Sequence, residues 1–403
     1  MSGQGFNPML EGLKLSPIVI TSELARQKAA SFHQTTGKNF VHFHRGEVDF
    51  PTPDYIKQAA RAALDQDRTK YPKSGGEDDL KDAIVQKLHD TNRASGLKGE
   101  NVLCTYGAQE ALQLSFKLFA GTKGAGFSPC WSCILENLTP YESIDFTLVP
   151  LGADFGVDWA ELEKVLKEVR FFYLNNPQNP TGKVFSEAEV RTIAELCQKN
   201  GVWLISDETY EQIVYDGLEH FSAASIEQEN IIAVFSFSKS YSMTGWRLGY
   251  LVTRQERIPN ILRLADYSQT AGVVPFIQYA GKEALANRAQ SDRAISAMVG
   301  EFQRRRDVLH QGLSAIDGIR VEKPGGAFYV FPSFTELIPS ELTGPERELY
   351  VAHKLMEHGV AVVHGACFGI GFEDNIRISF STTPVSAVEA GVRRIEQAFR
   401  SSS

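Results

Sequence analysis

The feature that most constrains this chain is an alternation of period. Short apolar runs at 102–105, 146–149, 171–174, 202–206, 231–235 and 249–252 are each followed by polar or glycine-rich turns. That pattern suits strands buried on both faces of a parallel sheet. Between them lie longer stretches whose apolar residues recur three and four apart, such as Leu80, Ala83, Ile84, Leu88 and Val190, Ile193, Ala194, Cys197. Each set is one face of an amphipathic helix. Parallel strands need helical crossovers, so the expectation is a layered α/β unit. After about residue 285 the pattern changes to a long helix over 294–316, then strands with turns at Pro324-Gly325-Gly326 and Gly365, then a closing helix from Pro384. A chain of 403 residues exceeds the roughly 100–200 residues of one core, and this stretch reads as a second, smaller α+β unit. The predicted division is an N-terminal segment at 1–49 that packs with the small unit, a large unit at 50–285, and the small unit at 286–403.

Charge and composition remove several function classes. Forty-one basic against 49 acidic residues leave a net charge of −8, which repels nucleic acid and anionic membranes unless the basic residues cluster. The densest basic run, Arg304-Arg305-Arg306, falls in a helical stretch and reads as a solvated face. The longest uncharged stretch, 267–281, is broken by Ser, Gln, Thr and Pro and falls short of the ~18–20 apolar residues of a membrane span. No secretory leader is visible, because the first cation, Lys14, is followed only by the short apolar run 17–20. Five cysteines, odd and sparse, suit a reducing compartment. The expectation is a cytoplasmic protein with no nucleic-acid and no membrane partner. Cys130-Trp131-Ser132-Cys133 has redox-type spacing but lacks a second pair for zinc and a thioredoxin-like setting, so no metal site is assigned.

In an open α/β sheet, ligands bind just beyond the carboxyl ends of the strands. Four successive ends carry chemically useful residues. Tyr106-Gly107-Ala108-Gln109 follows the run 102–105 and opens an apolar helix whose free amides can hold an anion. Asn179-Pro180-Thr181-Gly182 follows 171–174 after a short loop, Asp207 and Tyr210 follow 202–206, and Ser236, Ser238 and Lys239 follow 231–235. Two arginines, Arg247 in Thr244-Gly245-Trp246-Arg247-Leu248-Gly249 and Arg377 in Asn375-Ile376-Arg377-Ile378-Ser379-Phe380, are set among apolar neighbours. A guanidinium buried there calls for a phosphate, a carboxylate or an internal ion pair. In the second segment Ile376, Ile378 and Phe380 share one strand face and Arg377 lies on the other, aimed away from the core.

The series Asn179-Pro180-Thr181-Gly182, Ser206-Asp207-Glu208-Thr209-Tyr210, Ser236-Phe237-Ser238-Lys239 with Arg247 eight residues on, and Ile376-Arg377-Ile378-Ser379 resembles the pyridoxal-phosphate-dependent class I aminotransferases. The likeness runs from Gly46-Glu47-Val48-Asp49-Phe50 to the C-terminal helix, in order and spacing. It implies an aspartate aminotransferase-like fold: a large domain with a mostly parallel seven-stranded sheet between helices, and a smaller α+β domain. It also implies transfer of an amino group from an α-amino acid to a 2-oxo acid such as 2-oxoglutarate, by ping-pong chemistry through a Lys239 Schiff base with pyridoxal 5'-phosphate. Asp207 would sit against the pyridine nitrogen, and a carboxylate there keeps the ring protonated as an electron sink. Tyr210 and Asn179 would bond the ring's 3-oxygen and Trp131 would stack on the ring. Backbone amides of Ala108 and Gln109, the hydroxyls of Ser236 and Ser238, and Arg247 would hold the phosphate. Tyr71 matches the tyrosine that reaches the neighbouring subunit's phosphate, which implies a homodimer with shared sites. Arg377 matches the substrate α-carboxylate fork, with Gly46 beside it leaving room for the substrate; by the same resemblance Trp131 and Asn179 would also face the substrate.

Departures from the family pattern concern the side-chain pocket. Gln109 stands where one dicarboxylate-preferring subgroup carries lysine, and 267–281 contains no cation, which argues against a clamp for a distal carboxylate. Arg45 and His364 occupy places where a small or apolar residue and a proline are usual, so either is a candidate reader of a polar substrate end, against a surface or structural role. Rival readings are a C–S β-lyase on the same fold, which would use the same residues, and a non-catalytic regulator, which would need a sizeable DNA-binding module where only 45 residues precede Gly46.

Overall fold

The structure, a computed structural model, describes residues 13–400. Its centre is a sheet of seven strands: β2 (Val102–Thr105), β3 (Lys123–Ser128), β4 (Asp145–Pro150), β5 (Phe171–Asn175), β6 (Trp203–Asp207), β7 (Ile231–Ser236) and β8 (Gly249–Val252), in the spatial order β2-β8-β7-β6-β5-β3-β4. Neighbours from β7 to β4 run parallel, while β8 is antiparallel to both β7 and β2. All six apolar runs are strands, but not all are buried parallel ones: the 249–252 run is reversed, and β4 is a half-exposed edge. The seventh strand, β3, escaped the pattern because its sequence, KGAGFS, carries two glycines. Those glycines are steric necessities. A Cβ on Gly124 would sit 2.3 Å from the Phe171 ring, and one on Gly126 would sit 2.9 Å from Phe146, so the neighbouring aromatic rings fill the space a strand residue normally occupies.

Alternation along β5 and β6 explains why helices cover both faces. Phe172, Leu174 and Leu204 pack with Val190, Ile193, Ala194 and Cys197 of helix Glu187–Lys199. Phe171, Tyr173 and Ile205 turn to the opposite face, against Ala111, Leu112 and Phe116 of helix Ala108–Lys117. Each fully buried Leu or Phe contributes about 1.5–3 kcal/mol, and Phe171→Ala should cost about 3–5 kcal/mol because Gly124 cannot fill the void. Helix Glu187–Lys199 starts where Ser186 and Glu189 cap one another's backbone amides.

The remaining strands form two small sheets. One is antiparallel, β11-β12-β9, from Val363–His364, Ile376–Ser379 and Tyr329–Val330; the other pairs β1 (Val41–His42) in parallel with β10 (Val360–Ala361). They pack on the long helix Arg288–Ser314 and the closing helix Val385–Arg400. The long helix begins six residues before the predicted 294. Its buried seam starts at a polar residue, Ser291, which bonds the Ala284 carbonyl, and this hides the apolar period.

The arginine run on that helix departs from the expected solvated face. Arg304 is exposed, but Arg305 and Arg306 are buried. Arg305 donates to Asp49, Glu301 and the Ser381 carbonyl, and Arg306 to Asp216, Asp307 and the Pro324 carbonyl. The guanidinium forks make burial tolerable because their donors meet acceptors from five parts of the chain. No described helix is long and apolar enough to cross a membrane.

Candidate functional site

A cavity of about 260 Å³ opens at the carboxyl ends of β5, β6 and β7. Gly46, Ala108, Gln109, Trp131, Asn179 and Asp207 line it, as do Tyr210, Ser236, Ser238, Lys239, Arg247 and Arg377. Every sequence-predicted site residue except Tyr71 is therefore in one place. Tyr71 is 91% exposed and outside the cavity. Arg45 is also exposed, and neither it nor His364 lines the cavity. A larger open cleft of about 610 Å³, walled by Phe155, Phe331 and Arg347, contains none of the predicted residues.

Asp207 ends β6 with its carboxylate buried. The Thr209 amide and hydroxyl donate to Oδ1 at 3.1 and 2.6 Å, and the Tyr173 hydroxyl donates to Oδ2 at 2.9 Å. Burial pushes the Asp207 carboxyl above its ordinary range, and these donors oppose the push. Three of about four acceptor positions are filled, leaving capacity on Oδ2 for a donor in the cavity. Lys239, three residues beyond β7, donates from Nζ to the Gly46 carbonyl at 2.7 Å. Its ammonium is pushed down to about 8, first by burial, with Arg247 and Arg377 adding to the effect and Glu47 opposing it.

Arg377 lies 1% exposed on β12. It faces away from the apolar cluster of Ile376, Ile378 and Phe380, as its strand position predicts, yet it is buried against the other layer. Nη1 donates to Asn179 Oδ1 at 3.3 Å and Nη2 to the His44 carbonyl at 2.9 Å, while buried Nε has no hydrogen-bond partner among the described residues. Arg247 differs from expectation. It is exposed, so its apolar flanks do not bury it; it adopts φ +58° and donates to the carbonyls of Thr244 and Tyr106.

Gly107 caps helix Ala108–Lys117 at φ +81°, and a Cβ there would meet the Arg247 guanidinium at 2.8 Å. A bare backbone, open helix amides and a guanidinium thus converge on one spot. The Ser236 hydroxyl accepts from the Ser238 amide at 3.0 Å beside it. Among the residues that build this site without being candidates from sequence are Tyr173, Thr209 and Tyr329, together with Ile18, Leu112, Asn175 and Thr244 of the lining. Thr209 lay inside the motif quoted around Asp207, and its hydroxyl was the available signal. Tyr173 lies within the apolar run 171–174 and Tyr329 among the apolar residues 327–331, so neither stands out from its neighbours in the sequence.

The profile of the family described as aminotransferase class I and II matches residues 38–395. The chain belongs to that family. It is 37% identical over 405 residues to a probable aspartate/prephenate aminotransferase of Aquifex aeolicus, covering 98% of each chain. It is 32% identical to aromatic-amino-acid aminotransferase 2 of Thermococcus litoralis, covering 88% of this chain and 90% of that one. Among solved structures, aspartate aminotransferase from Thermus thermophilus with maleate superposes with a TM-score of 0.89 at 28% identity, covering 98% of this chain and all of the other. This aminotransferase moves amino groups, and members of its family use pyridoxal 5'-phosphate. The cavity suits that group: the glycine-lined helix start offers a phosphate cradle, Asp207 keeps an acceptor position free, and Lys239 is a lysine whose amine is readily neutral near pH 8.

Proposed function

We propose that this aminotransferase passes the amino group of an α-amino acid to a 2-oxo acid through Lys239, in two half-reactions at one cavity. The observation that carries the reading is the convergence of a low-pKa lysine, a buried carboxylate and a buried guanidinium with an unpartnered Nε in 260 Å³. Arg377 grips the α-carboxylate of either substrate, and its contact with Asn179 fixes the fork. Asp207 holds a proton donor in the cavity through its free acceptor position. Pyridoxal phosphate would be held with its 3-oxygen by Tyr210 and Asn179, with its ring by Trp131, and with its phosphate by Ala108, Gln109, Ser236, Ser238 and Arg247. Pyridoxal phosphate, when bound, supplies the electron sink that makes the substrate Cα–H acidic. Lys239 Nζ takes that Cα proton, a task suited to an amine that is half neutral near pH 8.

The cavity lining includes the uncharged Gln109, Ile18, Leu112 and Trp131, and a wall built of these favours donors whose side chains carry no charge. The relatives' names make aspartate and aromatic amino acids the comparison donors. Tyr71, exposed and outside its own cavity, supports a homodimer in which it reaches the partner's phosphate. Five unpaired cysteines support a cytoplasmic setting. Pairing of β1 with β10 supports an N-terminal segment at 1–49 that belongs with the 286–403 unit, beside a cofactor unit at 50–285.

The test is reduction of the loaded protein with borohydride followed by peptide mapping, together with a screen of amino donors against 2-oxoglutarate and pyruvate. The pyridoxyl group should appear on Lys239 alone. Its appearance on another lysine, or a screen without a productive donor, would sink the reading.

A further inference from the structure

Beyond these roles, one buried phenol in the cavity has none assigned. Tyr329 is 1% exposed and lines the cavity. Its hydroxyl lies 3.1 Å from that of Tyr210, its one hydrogen-bond partner among the described residues. A buried residue needed for packing alone is served by Phe, which carries no hydroxyl to desolvate. The ring has a second contact. The Arg377 guanidinium lies over it at 4.6 Å from the centroid, and over Phe368 at 5.1 Å. Strand register explains the first stack: Tyr329 pairs with Ser379, which places Arg377 diagonally across on the same face of the sheet. A third contact closes the circle, since a Cβ on Gly46 would lie 2.5 Å from the Tyr329 oxygen, and the Gly46 carbonyl receives Lys239.

We propose that Tyr329 is a positioning residue of the reaction centre: its hydroxyl donates to Tyr210 and strengthens the bond Tyr210 makes, while its ring holds the Arg377 guanidinium flat. The inference rests on the proposed role of Tyr210 and deepens it. If Tyr210 donates its proton to the cofactor's 3-oxygen, its own oxygen is left as an acceptor, and Tyr329 is the donor aimed at it. A hydrogen bond received on the oxygen makes the outgoing O–H a stronger donor. A stronger donor favours the anionic 3-oxygen and keeps low the pH at which the bound cofactor's absorbance changes. Loss of the Tyr329 hydroxyl therefore raises that midpoint.

The experiment uses the full chain loaded with pyridoxal phosphate and titrated spectroscopically without substrate. Tyr329→Phe should raise the absorbance midpoint by about 0.5–1 pH unit, the size of one neutral hydrogen bond, and lower kcat several-fold with KM for the amino donor unchanged. In a Tyr210→Phe background the same substitution should shift nothing further, because the effect travels through Tyr210. Tyr329→Leu, which removes the ring as well, should in addition raise KM for amino and oxo acids about tenfold, since a cation–π contact of this kind is lost. An unmoved midpoint in Tyr329→Phe, an equal shift with and without Tyr210, or identical KM values for the Phe and Leu variants would each overturn the proposal. Covalent loading of the unsubstituted protein at Lys239 is scored separately, so failure of the underlying reading is told apart from failure of this inference.

Discussion

The floor and the roof of the cavity are built in different ways. The floor comes from one sheet: Asn179, Asp207, Tyr210, Ser236 and Lys239 all lie at or just past the carboxyl ends of β5, β6 and β7, which are hydrogen-bonded neighbours. The roof is assembled from Gly46, Tyr329 and Arg377, segments that are far apart in sequence and meet through the small antiparallel sheet and the Gly46–Tyr329 contact. The floor is therefore positioned by a buried ladder with apolar packing on both faces, whereas the roof is held by the stacking of Arg377 on Tyr329 and Phe368, its hydrogen bonds to Asn179 and the His44 carbonyl, one phenol pair and one close backbone approach. A sheet edge tolerates substitution badly only where chemistry needs the side chain; a roof made of single contacts is sensitive at each of them.

Lys239→Ala should produce the largest loss, abolishing transamination while the protein still binds pyridoxal phosphate non-covalently, as read by dialysis and absorbance. Residual turnover near the unsubstituted rate would remove the floor from the chemistry. Arg377→Lys tests the roof. Loss of a charged, two-pronged bond should lower kcat/KM for every amino and oxo acid by about ten- to a hundredfold, or ~1.5–3 kcal/mol. A drop confined to one substrate class would show that Arg377 reads side chains instead.

Gly46→Ala should cost less but act on both halves, because the added carbon presses on the Tyr329 oxygen and moves the carbonyl that Lys239 uses. Overpacking of this kind costs about 1–3 kcal/mol, read here as a fall in kcat/KM. Pairing it with Tyr329→Phe should restore part of the loss. A pH series separates the halves further. The Lys239 ammonium is held near pKa 8, and only the neutral amine attacks an aldehyde, so the rate of covalent capture of added pyridoxal phosphate should rise with pH through about 8 and level above it. Arg377→Lys should leave that profile nearly in place. The smallest effect is assigned to Arg45→Ala. Its side chain is exposed and outside the cavity, so kcat/KM for acidic, neutral and aromatic donors should change together by less than about twofold, the scale of an ordinary surface substitution. A selective loss for glutamate or aspartate would place Arg45 at the distal end of the substrate.

Legibility followed the same division. Asp207, Lys239 and Asn179 could be read from sequence because each follows a short apolar run within a few residues, Asn179 after a short loop, and a parallel strand delivers its next residues to the same edge as its neighbours do. Strand β3 could not be read so, since Gly124 and Gly126 serve the rings of Phe171 and Phe146 on adjacent strands, and no local pattern records a neighbour's ring. The error over Arg305 and Arg306 has a similar cause: their acceptors, Asp49, Asp216, Ser381 and Pro324, lie on separate stretches of chain. Arg247 failed in the other direction, since apolar flanks indicate burial only when the segment is inside, and this one turns at φ +58° near the cavity mouth.

Local periodicity by itself determined that this chain builds a two-faced α/β sheet with reactive residues at its strand ends, because strand and helix periods are properties of neighbouring residues and the covalent chain sets their direction. Only the tertiary structure decided that Tyr329 lies between Tyr210 and Arg377, that Tyr173 bonds Asp207, and that Gly46 must be bare. Those relations join residues across strands or across nearly the whole chain, and they exist only once the sheets have packed and each buried polar group has found its partner.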